Sequence, residues 1–233
     1  MSGIEERFSR TDRLIGREGR VALRGKRVLV AGIGGVGGAC ALTLARYGLG
    51  GITLVDNDVV VPSNLNRQWV AKLSTLGMSK VTAAAREIAD IDPEIEVSPL
   101  QVRVTAENAH ELIAKHDLII DAVDDMAAKI ALALAARDGG IPILSSMGAG
   151  NRLDPTRFHV GDIFDTHTDP LARAMRKACR EAGLDHLTVV WSDEPPQSVP
   201  LDEQGGHAPA SIAAVPPAAG LALAAQAVQW LRR

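Results

Sequence analysis

Short apolar runs alternate with stretches of helical period through the first two thirds of the chain. Residues 26–31 open on Lys26-Arg27 and continue as Val28-Leu29-Val30-Ala31, an unbroken apolar run that suits a strand buried on both faces. A glycine-rich turn and a helix of small residues follow, the helix reaching Arg46. Residues 51–56 read as a second strand, and residues 57–75, with Pro62 and several asparagines, as a loop. A helix is expected over 79–91, stopping ahead of Pro93, because a residue before proline avoids the helical region. Residues 95–99 form a third strand, 107–114 a short helix and 118–122 a buried strand. Residues 126–138 form a helix that Gly139-Gly140 ends, and 142–146 another strand.

Strand and helix at this steady pitch predict an α/β fold: a Rossmann-like, mostly parallel sheet with helices on both faces. Beyond residue 146 the pattern changes. A strand is expected over 157–163, a helix over 170–182 and a strand over 187–192. Residues 193–211, rich in Pro, Gly, Asp and Glu, read as a mobile loop, and 212–233 as a C-terminal helix. Residues 1–24 read as a helical arm carrying Arg7, Arg10, Arg13, Arg17, Arg20 and Arg24. The whole, 1–233, is expected to be a single domain.

Composition narrows the function classes. A net charge of −3 excludes a basic protein that coats nucleic acid, so any contact with RNA needs a local patch. The two cysteines, Cys40 and Cys179, are far apart, and neither a disulfide framework nor a zinc knuckle can be built from them. The start, MSGIEERFSR, holds no apolar signal region, and a cytoplasmic protein is expected. The segment from Val215 to Leu231 is apolar except for Gln226 and Gln229. It is short for a membrane span and reads as a packed helix, with no stable insertion; peripheral membrane contact stays open.

The chemistry begins at Gly32-Ile33-Gly34-Gly35-Val36-Gly37, which fits GxGxxG between a strand and a helix. Glycine lets the backbone turn sharply and lets phosphate oxygens approach the free N–H groups of the helix start. Asp56 ends the second strand, placed to accept hydrogen bonds from ribose hydroxyls. An NAD-dependent oxidoreductase would be the default. The next stretch disfavours it: Asp56-Asn57-Asp58, then Ser63-Asn64-Leu65-Asn66-Arg67-Gln68, Gly77-Met78-Ser79-Lys80 and Asp121-Ala122-Val123-Asp124-Asp125. Hydride transfer has no use for two cations near phosphates plus a carboxylate suited to a metal. Splitting a triphosphate does. Arg67 and Lys80 can neutralise phosphate charge, and Asp124 can hold Mg²⁺, which binds phosphates through one or two carboxylates and keeps waters.

GIGGVG, the Asp56 strand end, NLNRQ, GMSK and DAVDD together resemble the ubiquitin-activating-like adenylating enzymes, which include the molybdopterin-synthase and thiamine-biosynthesis activators. RFSRTDRLIG, SSMGAGNRLDPTRFHVGDI, DPLARAMRKACREAG and SIAAVPPAAGL resemble the tRNA threonylcarbamoyladenosine dehydratase branch of that superfamily, over about residues 7–231. The resemblance implies an ATP-dependent cyclisation, with loss of water, of the threonylcarbamoyl group on the adenosine next to the anticodon, through an acyl-adenylate. It implies that Gly32, Gly34, Gly35, Gly37 and Asp56 hold ATP's phosphates and ribose. Asp58, Asn64, Arg67, Gln68 and Lys80 line the nucleotide, and Asp124 faces Mg²⁺. It implies a homodimer in which an N-terminal arginine, Arg13 or else Arg10, reaches the partner's phosphates. The substrate partner would be threonylcarbamoyl-modified tRNA, touched by basic residues such as Arg152, Arg157, Arg173, Arg176, Lys177 and Arg180, with room for a sulfur-transfer protein as a further partner.

The chain departs from protein-activating relatives in lacking paired CxxC motifs and a cysteine in 205–210, which disfavours thioester chemistry. The alternative activity, adenylation of the C-terminus of a ubiquitin-like sulfur carrier, is weakened by the same absences.

Overall fold

The structure, a computed structural model, describes residues 6–200 and 209–232. Seven strands form one sheet: β1 (Arg27–Ala31), β2 (Gly51–Val55), β3 (Glu96–Leu100), β4 (Leu118–Asp121), β5 (Ile143–Ser146), β6 (Phe158–Asp162) and β7 (Thr188–Ser192). Their order is β3-β2-β1-β4-β5-β7-β6, and every neighbouring pair is parallel except β6 with β7. The expected Rossmann-like parallel sheet is present. Pro99 is tolerated because β3 is an edge strand, where a missing ladder donor costs little.

Alternation along the strands decides which helix covers which face. Val28, Val30, Ile52, Leu54, Leu118 and Ile120 share a core with helices α2 (Gly35–Tyr47), α3 (Lys80–Ile91) and α7 (Val215–Leu231). Leu29, Ala31, Val55 and Ile119 point the other way, against α4 (Ala109–Ile113) and α5 (Met126–Gly139). A third cluster joins α5 to α6 (Pro170–Glu181) and β7 through Met175, Cys179, Val189 and Trp191. Two-sided coverage explains the uninterrupted apolar runs. Each buried Val or Leu contributes about 2 kcal/mol relative to exposure.

Helix α7 is a packed core helix. A Cβ on Gly220 would stand 2.3 Å from the Val36 carbonyl oxygen, so α7 and α2 meet backbone to backbone. Among the described residues no helix is long and apolar enough to cross a membrane.

The N-terminal arm forms α1 (Ser9–Arg24), kinked at Gly16, where φ is 77°. Its ends are tied down. Phe8 is buried against Gly48, and the fully buried Asp92 carboxylate takes Arg7 at 2.8 Å and Arg24 at 2.7 Å. Between these anchors Arg10, Arg13 and Leu14 face outward, Leu14 being 88% exposed.

The stretch expected to be mobile, 193–211, is anchored at both ends. Glu194 is buried and accepts the N–H groups of Leu153 and Asp154. Gln197 N–H donates to the Asn151 carbonyl, and Asn151 N–H donates to that of Ala210, each at 2.7 Å. Residues 201–208 lie outside the described residues. The described ends of this stretch are therefore hydrogen-bonded to the 151–154 turn.

One glycine of the fingerprint serves packing. A Cβ at Gly37 would sit 1.8 Å from the Gly32 carbonyl oxygen, closer than any side chain can approach. Gly37→Ala is therefore expected to lower stability by about 3 kcal/mol or more, read as the midpoint shift in urea unfolding. An unchanged midpoint would show that the turn relaxes.

Candidate active site

The strand order reverses between β1 and β4, and ligands of open α/β sheets bind at the C-terminal strand ends of such a switch point. A cleft of about 580 Å³ opens there. Its floor is the turn from β1 into α2. Gly32 has φ 84°, and its missing side chain lets the Ala122 carbonyl of the neighbouring strand approach. Gly34 is the N-cap of α2 and has no side chain to satisfy the first-turn N–H groups. A Cβ placed on Gly34 would meet nothing within 4 Å, so the space above those N–H groups is open to an anion. Gly35 lines the cleft too, and its own Cβ would strike Pro216 of α7.

Asp56 fixes this turn. One carboxylate oxygen accepts Ile33 N–H at 2.6 Å and the other accepts Asp58 N–H at 2.8 Å. Each oxygen keeps a lone pair for a further donor, so a ribose hydroxyl remains chemically acceptable.

The polar loop after β2 forms the next wall. Asn64 is buried, and its side-chain oxygen accepts Val61 N–H at 3.1 Å, which closes the 3₁₀ turn Pro62–Asn64. Arg67 lies over that turn, donating to the Ser63 carbonyl and the Asn66 side chain. Gln68 is buried, and its Oε1 has no hydrogen-bond partner among the described residues. Such an orphan inside a cleft is what a bound polar ligand would satisfy. Lys80 is also buried, its ammonium 2.7 Å from Asp58. Asp58, expected to touch nucleotide, is thus first the counter-ion of Lys80.

The opposite wall comes from the end of β4. Asp124 is exposed into the cleft and makes no hydrogen bond among the described residues. Its neighbour Asp125 caps α5, accepting the N–H groups of Ala127 and Ala128, and pairs with Arg103. Arg103 and these amides hold the Asp125 carboxyl below the usual carboxylate range. Asp125 therefore stays charged as a cap at neutral pH and is lost as one only in acid, below that range.

Of the predicted residues, Gly32, Gly34, Gly35, Asp56, Asp58, Asn64, Arg67, Gln68, Lys80 and Asp124 line this one cleft. Gly37 does not, for the packing reason given above, and Arg13 lies outside its own chain's cleft. Arg152 corrects an expectation. It is 3% exposed and cannot be part of an RNA-facing surface. It donates to the carbonyls of Gly148, Gly150 and Glu194 and pairs with buried Asp169 at 3.1 Å, which shapes the loop whose Ala149 and Gly150 face the cleft. Both cysteines are buried, and burial pushes both thiols upward, away from thiolate chemistry.

Two features were missed by sequence reasoning. Arg103 lines the cleft but follows an edge strand with no motif around it. The fully buried pair Asp121–Lys129 did leave a signal: one lysine in the otherwise apolar run IALALAA and its approach.

Among the described residues no group of three or more His, Cys, Asp or Glu could hold a metal ion. A single exposed carboxylate such as Asp124 fits the way magnesium is usually bound, through one or two carboxylates together with phosphates and waters.

The ThiF family matches residues 8–233. A tRNA threonylcarbamoyladenosine dehydratase of Bacillus subtilis is 42% identical over 238 residues, covering 96% of this chain and 94% of the relative. Crystal structures of the Escherichia coli tRNA N6-threonylcarbamoyladenosine dehydratase are similar throughout. The AMP complex gives a TM-score of 0.92 and the ATP complex 0.90. Each is 30% identical, over 99% of this chain and 96% of that one.

Proposed function

The chain belongs to the ThiF family, and from that premise we propose that it is an ATP-dependent tRNA threonylcarbamoyladenosine dehydratase. The observation that carries the reading is the single cleft, where an uncapped helix start, Arg67, Lys80 and an exposed Asp124 that makes no hydrogen bond among the described residues converge.

The threonyl carboxylate attacks the α-phosphorus of ATP, giving an acyl-adenylate and pyrophosphate. The carbamoyl group then closes on the activated carbonyl, and AMP departs with the former carboxylate oxygen, so one water is lost overall. The free N–H groups of α2 and the side chains of Arg67 and Lys80 stabilise charge that develops on the phosphates. Asp58 holds Lys80 in place until phosphate competes for it. Asp56 orients the ribose. Asp124 would hold Mg²⁺, whose chemistry there is to neutralise phosphate charge. Orientation of the two reacting groups supplies the rest.

A homodimer with Arg13 reaching the partner's cleft fits the exposed apolar surface. Leu14 on the arm and Val61, Trp69 and Leu73 on the loop after β2 all stand open to solvent. A cytoplasmic setting fits two reduced, buried cysteines.

The deciding assay combines the protein, ATP, Mg²⁺ and threonylcarbamoyl-modified tRNA, with mass spectrometry of the nucleoside. Loss of one water is expected. ATP–pyrophosphate exchange without that loss would remove the tRNA from the reading. Exchange stimulated by a ubiquitin-like sulfur carrier would favour the rival activity.

The RNA would meet α6. Arg173, Lys177 and Arg180 are exposed there at i, i+4 and i+7, one face of a helix, on a chain that is acidic overall. Arg176 is instead turned inward, bonded to Thr166. Replacing the three exposed residues by alanine is expected to raise KM for tRNA about tenfold and to flatten its salt dependence by roughly two ions. ATP affinity should not move. An unchanged salt slope would clear α6 of the role.

A further inference from the structure

Lys129 and Asp121 are both fully buried and do not line the cleft, yet they tie together the ends of β4 and β5, two strands whose following segments do line it. The Lys129 ammonium lies 3.1 Å from Asp121 Oδ2 and donates to the Ser146 carbonyl at 2.7 Å, with Ser145 Oγ at 3.4 Å. Ser145 Oγ donates to the same Asp121 oxygen at 2.5 Å. The other oxygen, Oδ1, accepts Val123 N–H at 3.2 Å. The pair therefore joins the last residue of β4 to the end of β5. Beyond β4 the chain runs directly into Val123 and Asp124. Beyond β5 it runs into Ala149 and Gly150. All four line the cleft.

A buried ion pair is a poor way to gain stability, because desolvation consumes most of the attraction, and apolar residues of like volume often serve as well or better. What the pair gives here is direction. Lys129 offers several donors and spends them on one carboxylate, one hydroxyl and one carbonyl, all at strand ends. The Asp121 carboxylate in turn grips the amide one residue before Asp124.

We propose that Lys129, acting through Asp121 and Ser145, is a positioning residue of the adenylation site: it sets the place of the Asp124 carboxylate relative to the 148–150 loop. The proposal rests on reading the cleft as the adenylation site. Outer-shell partners of this kind typically alter affinity or rate by about 10–100-fold.

The test uses the full chain with both charges removed, Asp121→Asn with Lys129→Met, so that no lone charge is buried. Amide exchange in the ligand-free protein should rise about tenfold or more at Val123, Asp124 and Gly148–Gly150, with β1 and β2 unchanged. The kcat for ATP–pyrophosphate exchange should fall about tenfold or more, while KM for ATP stays within about threefold. If the double variant does not fold, Ser145→Ala removes only a hydroxyl. It should show the same local rise in exchange, on a smaller scale. Wild-type amide exchange at Val123 and Asp124 in a folded variant, with wild-type kcat, overturns the proposal. Absence of nucleotide chemistry in the unaltered protein would instead sink the reading of the cleft itself, and the amide exchange would still judge the positioning role.

Discussion

Asp124→Asn is expected to slow ATP–pyrophosphate exchange about 10²–10³-fold at saturating ATP and Mg²⁺ while leaving the fold intact. The side chain is exposed, caps no helix and bonds to nothing described, so stability should change little. Its neighbour Asp125 carries the structural duties, as cap of α5 and partner of Arg103. Asparagine keeps the shape and loses the charge. The loss would come through the magnesium that Asp124 would hold, whose charge would offset the negative charge on the phosphates. ATP binding measured without divalent metal should stay within about threefold, because α2, Arg67 and Lys80 are untouched. Exchange in the variant within about threefold of the unaltered protein would remove Asp124 from the reaction.

The contrast between Asp124 and Asp125 shows where sequence reasoning was strong and where it was blind. The sheet was legible because β1, β4 and their neighbours are buried on both faces and so read as unbroken apolar runs. The glycine turn was legible because strand, turn, helix and Asp56 fall in register. The polar residues of 56–80 were legible as a group through their resemblance to adenylating enzymes, and the fold does gather them in one cleft. The partnership of each was hidden. Lys80 with Asp58, and Asn64 with Val61 N–H, are set by the path of the loop, which carries no periodic signal.

Arginines were hardest to place. Nothing in its chain neighbourhood tells Arg152 from Arg173. Arg152 is buried because β5 delivers its loop against Asp169 and Glu194 from distant parts of the chain. Arg173 is exposed because α6 buries Ala172, Met175 and Cys179 on its other face. Burial of a charge depends on long-range partners, and a lone sequence does not name them. The same blindness applied to 193–211, where a composition typical of loops concealed Glu194, a buried carboxylate that accepts two backbone amides.

Arg13→Ala is expected to lower exchange about 10³-fold, the low end of what an arginine supplied in trans to a phosphate contributes. Stability should change little, since Arg13 is exposed between the two anchored ends of α1. The stronger prediction concerns mixing. In a homodimer where the arm crosses over, a cleft uses its own Asp124 and the partner's Arg13. A hybrid of one Arg13→Ala subunit and one Asp124→Asn subunit then contains one site with both groups and one with neither. Each parent dimer is nearly inactive, yet hybrids purified through two different tags should recover about half the wild-type rate. If the arginine worked within its own chain, every site of the hybrid would lack one group and the hybrid would stay as inactive as its parents. The same experiment with Arg10→Ala decides between the two arginines. Kd for ATP should rise only a fewfold in either variant, because the guanidinium is asked to act on charge that develops as pyrophosphate leaves.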